Sequence, residues 1–146
     1  MHPSPAVAAA RHFLNVVWDG DAPTDDALTE ALDGLLAAYH GTPEADPASD
    51  LEPPRQDGAS LYRQIQNRFP GYGLYPVAEP MDPIDQELGM ADAIDDLADL
   101  TLDMREVVWL ADNVGLPDAH WVFRLHYFHW GEHARRLASY LFARRW

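Results

Sequence analysis

Three histidines and a row of carboxylates carry whatever chemistry this chain can perform. His126, His129 and His133 stand in the run Phe123-Arg124-Leu125-His126-Tyr127-Phe128-His129-Trp130-Gly131-Glu132-His133, at spacings i, i+3 and i+7. An α-helix turns about 100° per residue, so the three rings fall within an arc of roughly 60°. Ala119, Val122, Leu137 and Tyr140 share that arc, which is therefore expected to face inward. Imidazoles aimed at a core need partners, because an unpaired buried polar group costs about 1–3 kcal/mol.

The partners are suggested by a second stripe. In Asp92-Ala93-Ile94-Asp95-Asp96-Leu97-Ala98-Asp99-Leu100-Thr101-Leu102-Asp103-Met104-Arg105-Glu106, helical spacing puts Asp92, Asp95, Asp96, Asp99, Asp103 and Glu106 on one strip about 100° wide. Like charges at i and i+4 destabilise a helix by a few tenths of a kcal/mol per pair. Asp92–Asp96, Asp95–Asp99 and Asp99–Asp103 repeat that penalty with no cation on the strip. Histidinium, arginine or a divalent cation would offset it.

Two chemistries fit. In one, the histidines and Asp92, Asp95, Asp96 and Asp99 form a structural hydrogen-bond network, with His126, His129 and His133 each donating to a carboxylate or carbonyl. In the other, Asp92, Asp96, Asp99, His129 and His133 hold a divalent metal. Aspartates at i and i+3 or i+4 suit Mg or Mn, and two imidazoles at i and i+4 suit Zn or iron. A metal-bound water would then be the nucleophile and a spare aspartate its base. His-Trp-Gly-Glu-His is not the zinc-protease motif, in which the glutamate follows the first histidine directly. The structural reading is preferred: a non-enzymatic domain acting through protein contacts, with a protein partner or a second copy of itself. A metal-dependent hydrolase of a phosphorylated small molecule, or a metal-binding sensor, is the alternative.

The elements that must position these residues are helical. Ser4 and Pro5 open a first helix to about Trp18, and Thr24 caps a second one through Tyr39. Residues 41–58, rich in Pro and Asp, form an exposed loop. A short helix spans about Ser60 to Arg68. Phe69-Pro70-Gly71-Tyr72-Gly73-Leu74-Tyr75-Pro76 is an ordered turn whose three aromatics must pack. A fourth helix runs from about Glu87 to Asn113 and a fifth from Pro117 to about Arg144, joined by a turn short enough to make them antiparallel neighbours. The expectation is one all-α domain, a bundle of about five helices. Gly131, in mid-helix, costs about 1 kcal/mol against Ala and implies a close approach there.

Composition narrows the functions. The 146 residues hold 24 Asp and Glu against 10 cations, all arginine, for a net charge of −14. Such a chain repels phosphate backbones and anionic lipid, so neither nucleic acid nor membrane is an expected partner. Without lysine there is no Schiff base and no Walker-type phosphate loop; without cysteine there is no disulfide and no thiolate ligand. The first ten residues lack the basic and apolar regions of a signal peptide, so the cytoplasm is the expected compartment.

Arg68-Phe69-Pro70-Gly71-Tyr72-Gly73-Leu74-Tyr75, Asp92-Ala93-Ile94-Asp95-Asp96-Leu97-Ala98-Asp99 and His129-Trp130-Gly131-Glu132-His133 resemble a family of small bacterial helical proteins classed as a domain of unknown function. Trp18-Asp19-Gly20 and Ala38-Tyr39-His40 extend the resemblance over most of the chain. It implies an all-α domain and no established activity. More loosely, Asp92-x-x-Asp95 and Asp96-x-x-Asp99 are similar to the magnesium-binding helices of all-α nucleotide pyrophosphohydrolases. Aspartate here replaces their glutamate, and their second acidic pair and lysines have no counterpart.

Overall fold

The helices begin where their capping residues stand. Ser4 Oγ accepts from the Val7 amide and opens α1 (Pro5–Trp18); Thr24 does the same with Ala27 for α2 (Asp25–Gly41). Each cap satisfies an amide that has no partner within its own helix. The computed structural model describes residues 4–146; Met1, His2 and Pro3, which bear part of the signal-peptide expectation, lie outside the described residues. Asp57 caps α3 (Gly58–Arg68), accepting from Ala59 and Ser60.

The long loop between α2 and α3 lacks helix and strand, as expected, but it is pinned. Buried Asp118 accepts from the Ala48 and Ser49 amides at 2.9 and 3.3 Å, and Arg124 donates to the Thr42 carbonyl at 3.0 Å.

The chain is mostly helical, yet not wholly so. Leu74–Val77 (β1) pairs antiparallel with Gly89–Asp92 (β2), setting Tyr75 against Ala91 and Pro76 against Met90. The fourth helix, expected from Glu87, therefore starts at Ala93 and runs to Asn113 (α4), with Asp92 as its N-cap bonded to the Ile94 amide. Pairing to β1 captures residues 89–92. Gly89 belongs there, since a Cβ would sit 3.3 Å from Val77 Cγ2 across the strands.

The last expected helix is two, which makes six among the described residues. α5 (Leu116–Leu125) and α6 (Tyr127–Arg145) meet at His126, with φ −89° and ψ 6°. In an unbroken helix the Phe123 carbonyl would receive the Tyr127 amide. Here it accepts the Trp130 indole N–H at 2.8 Å. Trp130 is wholly buried, and a buried indole N–H needs an acceptor, so its side chain enters the ladder and the helix bends.

Around α4 pack α1, α3, α5 and α6, with Phe13, Leu97, Leu100, Met104, Trp130 and Leu137 sealed between them. α4 and α6 run antiparallel, as the short connection implied: Glu106 lies beside His126 and Asp96 beside His133. The close approach at Gly131 is a ring. A Cβ there would stand 2.8 Å from Tyr127, which is stacked on Tyr39 at 3.6 Å between centroids and cannot withdraw freely. No described helix is long and apolar enough to cross a membrane.

Candidate metal centre

The acidic strip of α4 and the histidine strip of α6 face each other along the rim of the helix pair. This corrects the expectation that the histidine arc looks into the core: the buried face of α6 is Trp130, Ala134, Leu137 and Leu141. The imidazoles instead lie between that face and solvent, against carboxylates, and His129 is 42% exposed.

His133 and His129 each anchor Nδ1 on a carboxylate. His133 Nδ1 is 2.6 Å from Asp96 Oδ1, and His129 Nδ1 is 2.8 Å from Asp103 Oδ2. An ionised carboxylate only accepts, so both Nδ1 atoms carry hydrogen. The opposite nitrogens then turn toward one oxygen: His133 Nε2 is 3.0 Å and His129 Nε2 3.9 Å from Asp99 Oδ2. Asp99, His129 and His133 each offer a donor atom within 4.8 Å of the other two. Ligands bonded at about 2.0–2.1 Å around a tetrahedral ion lie about 3.4 Å apart, so closing the set asks for shifts of about an ångström.

Behind these ligand candidates stands a further layer. Asp96, only 2% exposed, takes the Tyr75 hydroxyl on its second oxygen. Burial and that bond to a carboxylate push Tyr75 well above the usual tyrosine range, keeping it a donor. The chain Tyr75–Asp96–His133 thus fixes the ring from the β1 side. Tyr75 was missed in the sequence because only its need to pack was legible, not its reach to α4.

Other candidates are placed differently. Asp92 has left the strip: as the cap of α4 it bonds the Ile94 amide and the Tyr62 hydroxyl, the latter at 2.5 Å. It belongs to neither the ligand set nor the histidine network. Asp95 stands beside Asp99 with much of its surface in solvent; its partial burial, then the charge of Asp99, raises its pKa from the ordinary carboxylate value. His126 gathers with Asp103 and Glu106 at the other end, its Nδ1 3.9 Å from each. Arg124 and Arg105 bind elsewhere, to Glu44 and to Gln56. Arg68 bonds the Val17 and Gly20 carbonyls, so it ties α3 to the end of α1.

Charge decides what the metal-free site holds. Burial opposes a charged His133, but its bonds to Asp96 and Asp99 and their charges outweigh burial and push it up to about 10. Burial alone would raise Asp99; the bond from His133 and the charges of His133 and His129 hold it below the usual range. A proton therefore bridges the two helices through His133. Its folded pKa lies above the unfolded value near 6.5, so its stabilisation is complete below about pH 6.5 and gone above about pH 10. Unfolding free energies measured in EDTA will fall as pH rises through that window, and the fall will shrink in His133→Gln. A rise instead would mean that the ring is neutral in the fold.

The fold is similar to that of the crystal structure of protein BF1032 from Bacteroides fragilis, with a TM-score of 0.68, covering 96% of this chain and 92% of that one. The two sequences are 15% identical, and at that distance the likeness concerns the fold alone. No family model matches this sequence, and no curated protein does.

Proposed function

We propose that this helical domain binds one divalent transition-metal ion through Asp99 Oδ2, His129 Nε2 and His133 Nε2. The observation that carries this reading is the division of labour within each ring. Both imidazoles commit Nδ1 to a carboxylate and aim Nε2 at the same aspartate oxygen. A metal-ligating histidine has its other nitrogen anchored in this way, which fixes the tautomer and raises the basicity of the ligand atom. Two nitrogens and one oxygen favour Zn, Mn or iron over Mg, which prefers oxygen and retains water.

Three protein ligands leave an open side, and the exposure of His129 puts that side toward solvent. Water bound there would be acidified, and Asp95 stands nearby to take its proton. Metal-assisted hydrolysis is the reaction class such a site supports.

The second reading, a structural network, rests on the 3.0 Å contact of His133 with Asp99: without metal, the same residues hold a bridging proton. Titration of the untagged, EDTA-stripped protein with Zn or Mn separates the two. The metal reading expects one ion per chain, binding that tightens with pH as His133 gives up its proton, and a higher melting temperature. At 100 times Kd the stabilisation is about 2.7 kcal/mol, or roughly 5–11 °C for a domain of this size. The absence of stoichiometric binding by any of these metals would leave the network.

A further inference from the structure

The β1–β2 hairpin carries apolar side chains that nothing among the described residues covers. Met81 is 93% exposed and Ile84 entirely so, while Leu74, Leu88 and Met90 are each about two-thirds exposed. Large apolar side chains left this exposed and gathered on one short arm mark an interaction site. Leu74, Pro76 and Met90 share the outer face, since Pro76 and Met90 are directly paired and Leu74 is two residues from Pro76. A two-stranded sheet is marginal by itself, and this one packs on the core through Tyr75 on its inner face.

At the base of the arm lies a groove of about 840 Å³ between β1 and α6, with Val77, Phe128 and Tyr140 in its lining and Arg135 and Arg136 along it. Its lining holds Arg135 and Arg136 beside the carboxylates Glu79 and Glu132, and Arg136 takes both of these, so the acidic arm meets one cation there, Arg135, that has no carboxylate of its own among the described residues. Residues 78–88 hold Glu79, Asp82, Asp85 and Glu87 and no cation, whereas α6 carries four of the chain's ten arginines. One such pairing already exists within the chain: Arg136 binds Glu79, and also Glu132 at 2.5 Å. Arg135 donates to the Tyr127 hydroxyl, and among the described residues no carboxylate pairs with it. The arm's own tip does not fill this groove, because Met81 and Ile84 stand in solvent.

We propose that the hairpin tip of one copy docks in the β1–α6 groove of a second, so that two copies exchange arms about a twofold axis. Met81 and Ile84 supply the apolar anchors, and Asp82 or Asp85 meets Arg135 of the other copy. With both arms docked at once about that axis, each contact is repeated in reverse, so the interface is isologous and closes at two.

The absence of cysteine permits a direct test. Sedimentation in EDTA, which removes any metal-dependent association and so keeps this test independent of the metal reading, should give the mass of two chains. The double variant Met81→Asp/Ile84→Asp should raise the dimer dissociation constant by at least about 100-fold, as loss of two anchors does. Its melting curve should stay that of a folded domain, since both residues are exposed. Mixing Ile84→Cys with Ser139→Cys, each on its own chain, should yield the mixed disulfide in excess over either homodisulfide. A monomer at all concentrations would overturn the proposal. So would a dimer indifferent to the tip variant, crosslinking through Ile84→Cys alone, or a monomer sedimenting with phosphatidylcholine vesicles through Ile84, which would assign the arm to lipid.

Discussion

His129→Ala will weaken Zn or Mn binding by more than about 100-fold while the domain stays folded. The loss of an outer-sphere partner alone costs a metal site about 10–100-fold, and this change removes a ligand. His129 is the most exposed ring of the cluster, and its only hydrogen bond is to Asp103. Its removal from the metal-free protein should therefore cost about 1 kcal/mol, the ordinary worth of one hydrogen bond. His126→Ala is the control. That ring faces Asp103 and Glu106, a second group close enough to hold an ion, so the variant will keep the binding that depends on Asp99, His129 and His133. Equal losses in both variants, read by calorimetric titration, would mean that general negative charge attracts the ion, not a site.

His133→Ala has the larger effect on stability. In the metal-free protein this ring stands between Asp96 and Asp99, 15% exposed, and Asp96 is almost completely buried. Without the ring, Asp96 keeps only the Tyr75 hydroxyl, and a carboxylate is left deep between α4 and α6 with no counter-charge. Removing one partner of a buried pair costs about 3–5 kcal/mol; the partial exposure of Asp99 puts the expected loss at the lower end, about 3 kcal/mol. Urea unfolding at pH 6 in EDTA, where the ring is charged, measures it. A loss below about 1 kcal/mol would show that the bridge contributes no more than a surface ion pair does. The two variants also differ in kind: one removes metal binding with little change in stability, the other removes both.

Much of the geometry was present in local pattern. The apolar series and caps of α1 and α2 placed those helices within a residue or two, because capping and a 3.6-residue period act over a few neighbours. The antiparallel pairing of α4 and α6 followed from the short connection at Gly115. Asp96, Asp99, His129 and His133 were legible as one cluster for the same reason. Asp92 was misplaced because a helical wheel has no means of showing where a helix begins. Its neighbours Gly89, Met90 and Ala91 are held in a strand by residues 74–77, more than ten positions earlier.

The helical character of the domain, the lack of cysteine and lysine, and the two stripes that meet could all be read along the chain. All of these depend on residue type or on spacing within one element. That Asp96 and Asp103 each take one Nδ1, of His133 and of His129, appears only in the tertiary structure, since both carboxylates reach across from another helix. The same is true of the Tyr75 brace on Asp96, of the Trp130 indole that breaks the last helix at His126, and of the exposed apolar arm beside a groove lined by Arg135 and Arg136 with Glu79 and Glu132. The physical reason is common to them all. A hydrogen bond or a packed face between distant residues follows from where the chain folds back, and periodicity along one element does not carry that information.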